Sequence, residues 1–200
     1  MKATVRNPRQ ERAIEKKNKI IEASYELFSE VGYYGTNTAE IAKKAGVSTG
    51  IVYGYFQDKR DILISVMEKY IKNAFDPVFK LFDNMTSETS IAEIVKKVIE
   101  ATIKIHKKNA KIHETLHSLT PTDEVVNMQF IELENKITID IAKKLQSIGI
   151  NTENPHEKIH FAMNLIQSFA HEYVFDKHDY IDYIIMRDIV TKTLTELFSN

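Results

Sequence analysis

The residues with the clearest spacing for chemistry are His156-Glu157-Lys158-Ile159-His160, which read H-E-x-x-H. In zinc hydrolases, two histidines four residues apart on a helix hold the metal, and the glutamate activates water. Here the stretch follows Pro155 directly, which places His156 in an exposed first turn. Position 166, where an extended motif needs a third histidine, is Ile166. We interpret these residues as surface side chains and keep a zinc-dependent hydrolase as the alternative function.

Composition restricts other enzyme chemistry. The 200 residues contain no cysteine, which excludes disulfides, thiolate metal sites and a cysteine nucleophile. The sequence has no glycine-rich phosphate loop and no Ser-His-Asp arrangement at a recognisable spacing. His113 and His117, also four residues apart, are interpreted as one polar helix face, with a metal-sensing pair as the alternative. We therefore predict no enzyme activity, no cofactor and no bound metal.

The overall composition is typical of a globular, helical protein. Hydrophobic residues make up 43% and charged residues 28%, whereas 6 Gly and 4 Pro leave few turns and favour long helices. The opening residues lack the apolar core of a signal peptide, and no apolar run is long enough to cross a membrane. These features predict an all-α, cytoplasmic protein without membrane contact.

Charge is distributed unevenly, although the net charge is only -1. Residues 1–61 carry 11 Lys and Arg against 8 Asp and Glu, a net of +3, and the remainder has a net of -4. Most of the N-terminal cations precede Ile20. A basic arm on a short N-terminal unit favours contact with a polyanion such as DNA, and a solvated tail is the alternative.

The N-terminal pattern predicts three helices that would position these charges. Apolar residues at helical spacing predict a first helix over about residues 9–31, which Gly32 ends. Asn37 and Glu40 form a capping-box start for a second helix, and Ser48 can cap a third. The second and third helices are joined by a short turn, AGVS, that contains a glycine. This arrangement is typical of a helix-turn-helix.

The stretch from Ile20 to Leu63, IIEASYELFSEVGYYGTNTAEIAKKAGVSTGIVYGYFQDKRDIL, resembles the DNA-binding domain of the TetR family of bacterial transcriptional regulators. The resemblance covers less than a quarter of the chain but rests on many matches at fixed spacing. It implies an all-helical effector-binding and dimerisation domain after this stretch, with no particular ligand inherited. The matching positions are Ala23, Leu27, Phe28, Gly32, Thr38, Ile41, Ala42, Ala45, Gly46, Val47, Ser48, Gly50, Tyr53, Tyr55, Phe56, Lys59 and Leu63.

The third helix would read DNA. If it lies in the major groove, its first turn faces base edges, where Ser48, Thr49 and Gly50 offer small hydroxyls and bare backbone. Tyr53 and Tyr55 would point outward, with phenol groups able to reach phosphate oxygens. Exposed aromatic residues on short helices also cover neighbouring helices, which is the alternative for each tyrosine.

Further phosphate contacts are predicted beside this helix. Asp58 is the expected N-cap of a fourth helix, which puts Lys59 in its first turn, where the helix dipole disfavours a cation. A phosphate bound there would accept from the ammonium and from free backbone N–H groups. Thr36 and Thr38, at the start of the second helix, are additional candidates because short hydroxyl side chains can reach a neighbouring phosphate.

The sequence predicts two domains, residues 1–60 with the basic arm and helix-turn-helix, and residues 61–200 with a helical bundle. Pro77 is expected to kink or break the first helix of the bundle. The predicted helices of this part cover 59–83, 89–107, 109–119, 122–148, 155–177 and 180–198.

Polar side chains among apolar neighbours indicate an effector site on two of these helices. The polar stripe on helix 155–177 has three open interpretations: an effector pocket, a polar network at a dimer interface, or solvent. Neither stripe contains Lys or Arg, so a largely apolar, neutral or cationic molecule is favoured over a strongly anionic one. The candidate effector-binding residues are Phe130, Glu134, Thr138, Asn164, Gln167, Ser168 and His171.

The last helix supplies apolar surface, and the family resemblance places it with helix 155–177 at a dimer interface. The protein is thus predicted to be a homodimeric transcriptional regulator, and a repressor is the favoured kind. It is predicted to bind a palindromic double-stranded DNA operator and to be released from it by a small, largely apolar effector. The apolar residues of the last helix are Ile181, Ile184, Ile185, Ile189, Leu194 and Leu197.

Overall fold

The structure is a computed structural model that describes residues 8–199, with side chains from residue 10. Lys2, Arg6 and the side chain of Arg9, which belong to the predicted basic arm, lie outside the described residues. Within residues 8–199 all regular structure is helical, as predicted, and no strand occurs. The helices are α1 (Pro8–Val31), α2 (Thr38–Ala45), α3 (Thr49–Tyr55), α4 (Lys59–Phe82), α5 (Ile91–Lys108), α6 (Ala110–Leu119), α7 (Glu124–Ser147), α8 (Pro155–Phe175) and α9 (Tyr183–Ser199).

Capping residues set the ends of α2 and α3. Asn37 Oδ1 accepts two backbone N–H groups of the first turn of α2 at 3.0 Å, and the Glu40 carboxylate accepts the Asn37 N–H at 3.1 Å. This reciprocal pair is a complete capping box. Gly46 ends α2 with a left-handed φ of 68°, which costs a glycine little. Ser48 Oγ accepts the Ile51 N–H at 3.4 Å at the start of α3. The predicted helix-turn-helix is confirmed.

The chain packs into two compact units. The first unit contains the chain up to Tyr70 together with Lys111–Gln129, and the second contains Ile71–Ala110 and the residues from Phe130 onward. These units are defined by which residues pack together. The boundary predicted after residue 60 instead separates a DNA-binding part from an effector-binding part. That functional boundary stays a prediction.

Packing within the first unit explains why a later segment joins it. Ile20, Phe28, Ile41 and Val52 are fully buried where α1 packs against α2 and α3. From the later segment, the Thr115 hydroxyl donates to the Phe28 carbonyl oxygen at 3.2 Å. Side chains of α6 therefore belong to the same packing as the helix-turn-helix.

The second unit is built around α5, α8 and α9, each of which packs on the other two. Burial of each large apolar side chain in such a core contributes about 1.5–3 kcal/mol. Leu194 is completely buried within its own chain, so it is not free for a partner, which corrects the expectation for the last helix. The shared core consists of Val95, Ile99, Ala162, Ile166, Phe169, Val190 and Leu194.

Pro77 does not break α4, which continues to Phe82. The proline lacks an N–H and leaves the Asn73 carbonyl without its helical donor, but Asn73 is exposed and water can replace that donor. Val78 and Phe82 are each 4% exposed, and their burial stabilises the last turn. The other helices of the bundle begin and end within three residues of the predicted bounds. In the described part of the chain no helix is long and apolar enough to cross a membrane.

Candidate DNA-binding surface and ligand cavity

The first turn of α3 is open to solvent. Ser48, Thr49 and Gly50 are exposed, and Tyr53 is 55% exposed. On the opposite side of the helix, Val52 is completely buried. The helix is thus held by one apolar face and presents small polar residues on the other, which is the form of a helix that can enter a DNA groove.

A hydrogen bond connects this exposed face with the start of α2. Thr38 Oγ1 and Tyr53 Oη lie 3.0 Å apart, which places two surface hydroxyl groups side by side. Hydroxyl pairs of this kind can donate to phosphate oxygens. Tyr55, the other tyrosine predicted to point outward, is half-buried. It is therefore less accessible to a phosphate than Tyr53.

Lys59 forms bonds within the protein that the sequence did not predict. Its ammonium donates to the carbonyl oxygens of Tyr33 at 2.8 Å and Thr36 at 2.7 Å, and lies 4.4 Å from the centre of the Tyr33 ring. Desolvation by burial lowers the pKa of Lys59. These contacts tie the first turn of α4 to the α1–α2 loop, and so support the start of α2. A phosphate contact by Lys59 stays a prediction.

The residues around Lys59 are also fixed by internal bonds. Asp58 Oδ1 accepts the Asp61 N–H at 2.8 Å, as expected of the N-cap of α4. Thr36 is only 2% exposed, and its hydroxyl donates to the Gly32 carbonyl oxygen at 2.9 Å. The side chain of Thr36 is therefore used inside the α1–α2 loop instead of being presented at the surface, as its sequence position had suggested.

The H-E-x-x-H residues lie where the sequence placed them. His156, Glu157 and His160 are all exposed in the first turns of α8, directly after Pro155. A hydrolytic zinc site needs a third protein ligand and a cavity that shapes the substrate. The exposed setting of this motif does not favour the hydrolase alternative.

The His113 and His117 pair is not a single polar face. His117 is exposed, but His113 is buried, and its Nδ1 lies 2.8 Å from the Tyr70 hydroxyl. Burial also raises the pKa of Tyr70, so this hydroxyl stays neutral. The sequence interpretation was wrong for His113 because α6 turns that side toward the interior of the first unit.

An apolar cavity of about 80 Å³ lies within the second unit. Every side chain in its wall is apolar, which makes it a site for hydrocarbon rather than for a charged group. The sequence did not reveal it because its lining residues have the spacing of ordinary core residues. They are Val78, Phe82, Ile91, Ile94, Val95, Val98, Ile141, Leu145, Ile150, Ile159, Ala162, Met163, Ile166, Leu194 and Phe198.

None of the seven predicted effector residues lines this cavity. The nearest connection is Thr138, which is buried, donates to the Glu134 carbonyl oxygen at 2.9 Å and contacts Sδ of the lining residue Met163 at 3.7 Å. Phe130 and Glu134 are half-buried. Burial raises the pKa of Glu134, and the nearby His160 opposes that rise.

The predicted polar stripe of α8 faces outward for much of its length. Asn164 and Ser168 are exposed, whereas Gln167 and His171 are half-buried. His171 Nε2 lies 3.3 Å from the Asp176 carboxylate, so this side chain has a partner at the end of its own helix. The structure therefore does not gather the stripe around one cavity.

These features define the protein as an all-helical, helix-turn-helix protein with a helical second unit. Residues 20–66 match the family described as bacterial regulatory proteins, tetR family. The resemblance to the TetR family is thus confirmed over residues 20–66.

Relatives of known sequence align with less than half of this chain. The transcriptional regulator HbdR of Aromatoleum sp. (strain CIB) is 39% identical over 72 residues, which is 36% of this chain and 31% of HbdR. The fatty acid metabolism regulator protein of Bacillus subtilis (strain 168) is 33% identical over 79 residues, 39% of this chain and 41% of that protein. The alignments thus span less than half the length of these relatives.

Solved structures extend the similarity to the whole fold. A putative TetR-family transcriptional regulator from Mesorhizobium loti has a TM-score of 0.73 at 19% identity, covering 94% of this chain and 97% of that chain. The fatty acid degradation regulator FadR from Bacillus halodurans has a TM-score of 0.67 at 20% identity, with 90% and 94% covered. A putative regulator from Saccharomonospora viridis, solved in complex with choline, has a TM-score of 0.62 at 16% identity, with 92% and 95% covered.

Proposed function

We propose that this protein is a cytoplasmic transcriptional repressor that binds a palindromic DNA operator as a homodimer and is released by a small, largely apolar effector. The observation that carries the proposal is the exposed first turn of α3, Ser48 to Gly50. This turn follows Gly46, which ends α2, and it begins at Ser48, the cap of α3. The match to the family of bacterial regulatory proteins covers residues 20–66, which include this turn.

In this proposal the α3 turn reads bases and its surroundings hold phosphates. Thr49 and Ser48 meet base edges, while Tyr53 and Thr38, already joined at 3.0 Å, contact one phosphate. Tyr55 and Lys59 are secondary phosphate contacts, since Tyr55 is half-buried and Lys59 already serves two carbonyl oxygens. Thr36 contributes by holding Lys59 in place.

Dimerisation is assigned to the outer faces of α8 and α9. Phe161, Ile185 and Ile189 are 52%, 58% and 59% exposed, and Ile185 and Ile189, four residues apart, lie side by side on α9. A twofold axis would place the same patch of two copies face to face and bury it. Two α3 helices related by that axis can then occupy half-sites about 34–36 Å apart.

The effector is assigned to the apolar cavity of the second unit. Its walls favour an apolar molecule, and its volume of about 80 Å³ is below the roughly 300 Å³ of typical small-molecule sites. A ligand larger than the cavity therefore has to separate the helices that form its wall. A ligand that binds better when these helices are separated shifts the protein toward that conformation. The names of similar proteins mention chemically different molecules, a fatty acid and choline. We therefore infer the ligand class from the residues that line the cavity of this chain and not from those names.

Selection of operators from random duplex DNA tests the DNA-binding part. A recovered sequence with two inverted half-sites and an affinity that falls steeply with salt is expected. Thr49→Ala should relax the base preference at one position of each half-site, whereas Lys192→Gln, a charge change on the exposed side of α9, should not. Recovery of no preferred sequence would show that the α3 turn does not read bases.

Filling the cavity tests the effector part. Ala162→Leu places a larger side chain in the wall and should abolish release of DNA by apolar ligands while DNA binding itself remains. Met163→Leu, which conserves volume in the same wall, is the matched control and should still respond. If Ala162→Leu binds DNA and responds to ligand like the unchanged protein, the cavity is not the effector site.

A further inference from the structure

A polar groove in the second unit is separate from the apolar cavity. It encloses about 340 Å³ between the C-terminal part of α5, the end of α8 and the start of α9. This volume lies in the range of small-molecule sites. The groove shares no lining residue with the apolar cavity, so a ligand in one does not occupy the other.

Three cations converge on this groove. Lys107 from α5, Lys177 from the α8–α9 connection and Arg187 from α9 line it, and Glu100 is the single acidic residue among the lining side chains. Across the described part of the chain, none of the three cations has a carboxylate within ion-pair distance. The groove therefore carries a net positive charge that its own walls do not neutralise.

Two of the cations are held over one aromatic ring. Lys177 Nζ lies 4.0 Å and Lys107 Nζ 5.4 Å from the centre of the Tyr173 ring. The ring attracts each ammonium, but it has no net charge, so the repulsion between the two ammonium groups remains. An anion between them would remove that repulsion and would be attracted by both.

Ring contacts and hydrogen bonds orient the aromatic walls of the groove. Tyr173 stacks on the buried Phe169, with ring centres 6.1 Å apart, and meets the Tyr183 ring edge-on at 5.6 Å. The Tyr183 hydroxyl donates to the Glu172 carboxylate and accepts the His178 N–H, each at 2.9 Å. Because these contacts orient the rings without a ligand, they reduce the rearrangement that binding a flat ligand requires.

We propose that this groove binds a small aromatic carboxylate, a ligand site beyond the effector cavity. The ring of the ligand lies against Tyr173 and Tyr183, and its carboxylate accepts hydrogen bonds from the planar Arg187 guanidinium and from the Lys177 ammonium. Glu100 in the same wall favours a single negative charge over a doubly charged phosphate. The two polar stripes seen in the sequence contain no Lys or Arg and so disfavour anions, whereas the cations of this groove come from α5, α9 and the α8–α9 connection.

Titration of the full-length protein with benzoate, followed by amide NMR spectra, tests the proposal. Benzoate should shift the signals of residues around Tyr173 and Tyr183, and benzamide, the neutral analogue of the same shape, should bind at least tenfold more weakly. Binding of benzoate should also weaken as salt is added. Equal affinity for the two compounds, or benzoate shifts confined to other regions, would overturn the proposal.

Variants of the lining residues give a second, directional test. Arg187→Gln should weaken benzoate binding about tenfold, and Glu100→Gln should strengthen it. Lys192→Gln is the matched control, because Lys192 lies on the same helix as Arg187, is exposed and is outside the groove. If Arg187→Gln retains native spectra and native benzoate affinity, the groove is not the binding site.

Discussion

The helix-turn-helix and the α5–α8–α9 core are specified by the sequence in different ways. In α2 and α3, which have only 8 and 7 residues, three of the four helix ends depend on one residue each: Asn37, Gly46 and Ser48. In α5, α8 and α9 the helices are held mainly by a shared apolar core, of which Leu194 is a fully buried member. Short helices are marginal alone, so the first region depends on individual residues and the second on summed packing.

This difference explains how similarity is distributed among relatives. The family match covers residues 20–66, where single residues with special roles are hard to replace. Solved structures share the fold over 89–93% of this chain at only 12–24% identity, because many apolar combinations fill a core of the same shape. DNA recognition can therefore be inferred from relatives more readily than the ligand can.

The largest effect is expected from removing a core side chain of the second unit. Leu194→Ala should lower the free energy of unfolding by about 2–5 kcal/mol, because a cavity forms where Leu194 was completely buried. Leu197→Ala, on the same helix but half-buried, should cost less. Denaturant unfolding measures both. Equal losses would mean that α9 is not held by the shared core.

The turn of the helix-turn-helix should respond to a single methyl group. Gly46 has a φ of 68° and nothing near its added Cβ, so Gly46→Ala should cost about 1–2 kcal/mol through backbone strain alone. Gly54, inside α3 and also without near neighbours, gives the matched change. Gly54→Ala should stabilise the protein by up to about 1 kcal/mol. Thermal unfolding of the two variants should move in opposite directions, and shifts of the same sign would contradict this account.

Loss of a cap should affect a short helix more widely than a long one. Asn37→Ala should cost about 1 kcal/mol and accelerate amide hydrogen exchange throughout α2. Ser90 caps α5 by accepting the Glu93 N–H at 3.2 Å, and α5 has 18 residues. Ser90→Ala should therefore accelerate exchange only in the first turn of α5. Exchange that spreads equally through both helices would remove the distinction between the two regions.

The smallest effect concerns pH and Glu134. Burial raises the pKa of Glu134 in the folded protein, so the folded state holds this proton more tightly than the unfolded state. The stability gained from the protonated side chain is present at low pH and is lost as pH rises through the raised pKa. Glu134→Gln should therefore be more stable than the unchanged protein by about 0.5 kcal/mol or less at about pH 7. Thermal unfolding should show no such gain at about pH 4, and a pH-independent difference would contradict the assignment.

The sequence predicted the all-helical fold and the helix-turn-helix because their determinants are local. Asn37, Gly46 and Ser48 act within four residues of their own positions, and apolar spacing reveals the long helices. The bonds of Lys59 to Tyr33 and Thr36 were not predictable, since they join residues 26 and 23 positions apart.

The two sites of the second unit were missed for a similar reason. The apolar cavity is lined by residues of five helices, and no helix contains a local sign that its apolar face leaves a space. Likewise, Lys107 and Lys177 are far apart in the sequence and meet only over the Tyr173 ring. Positions of this kind are set by how helices pack, which helical spacing alone does not specify.

The apolar cavity also has a mechanical consequence. A space of about 80 Å³ without a polar wall offers a water molecule no hydrogen bonds, so water gains little by entering it. Unfolding eliminates such space, and the accompanying decrease in volume, typically about 20–100 mL/mol for a protein, makes the folded state sensitive to hydrostatic pressure. Compression should therefore loosen the helices around the cavity, and a molecule that fills the cavity should make the protein less compressible.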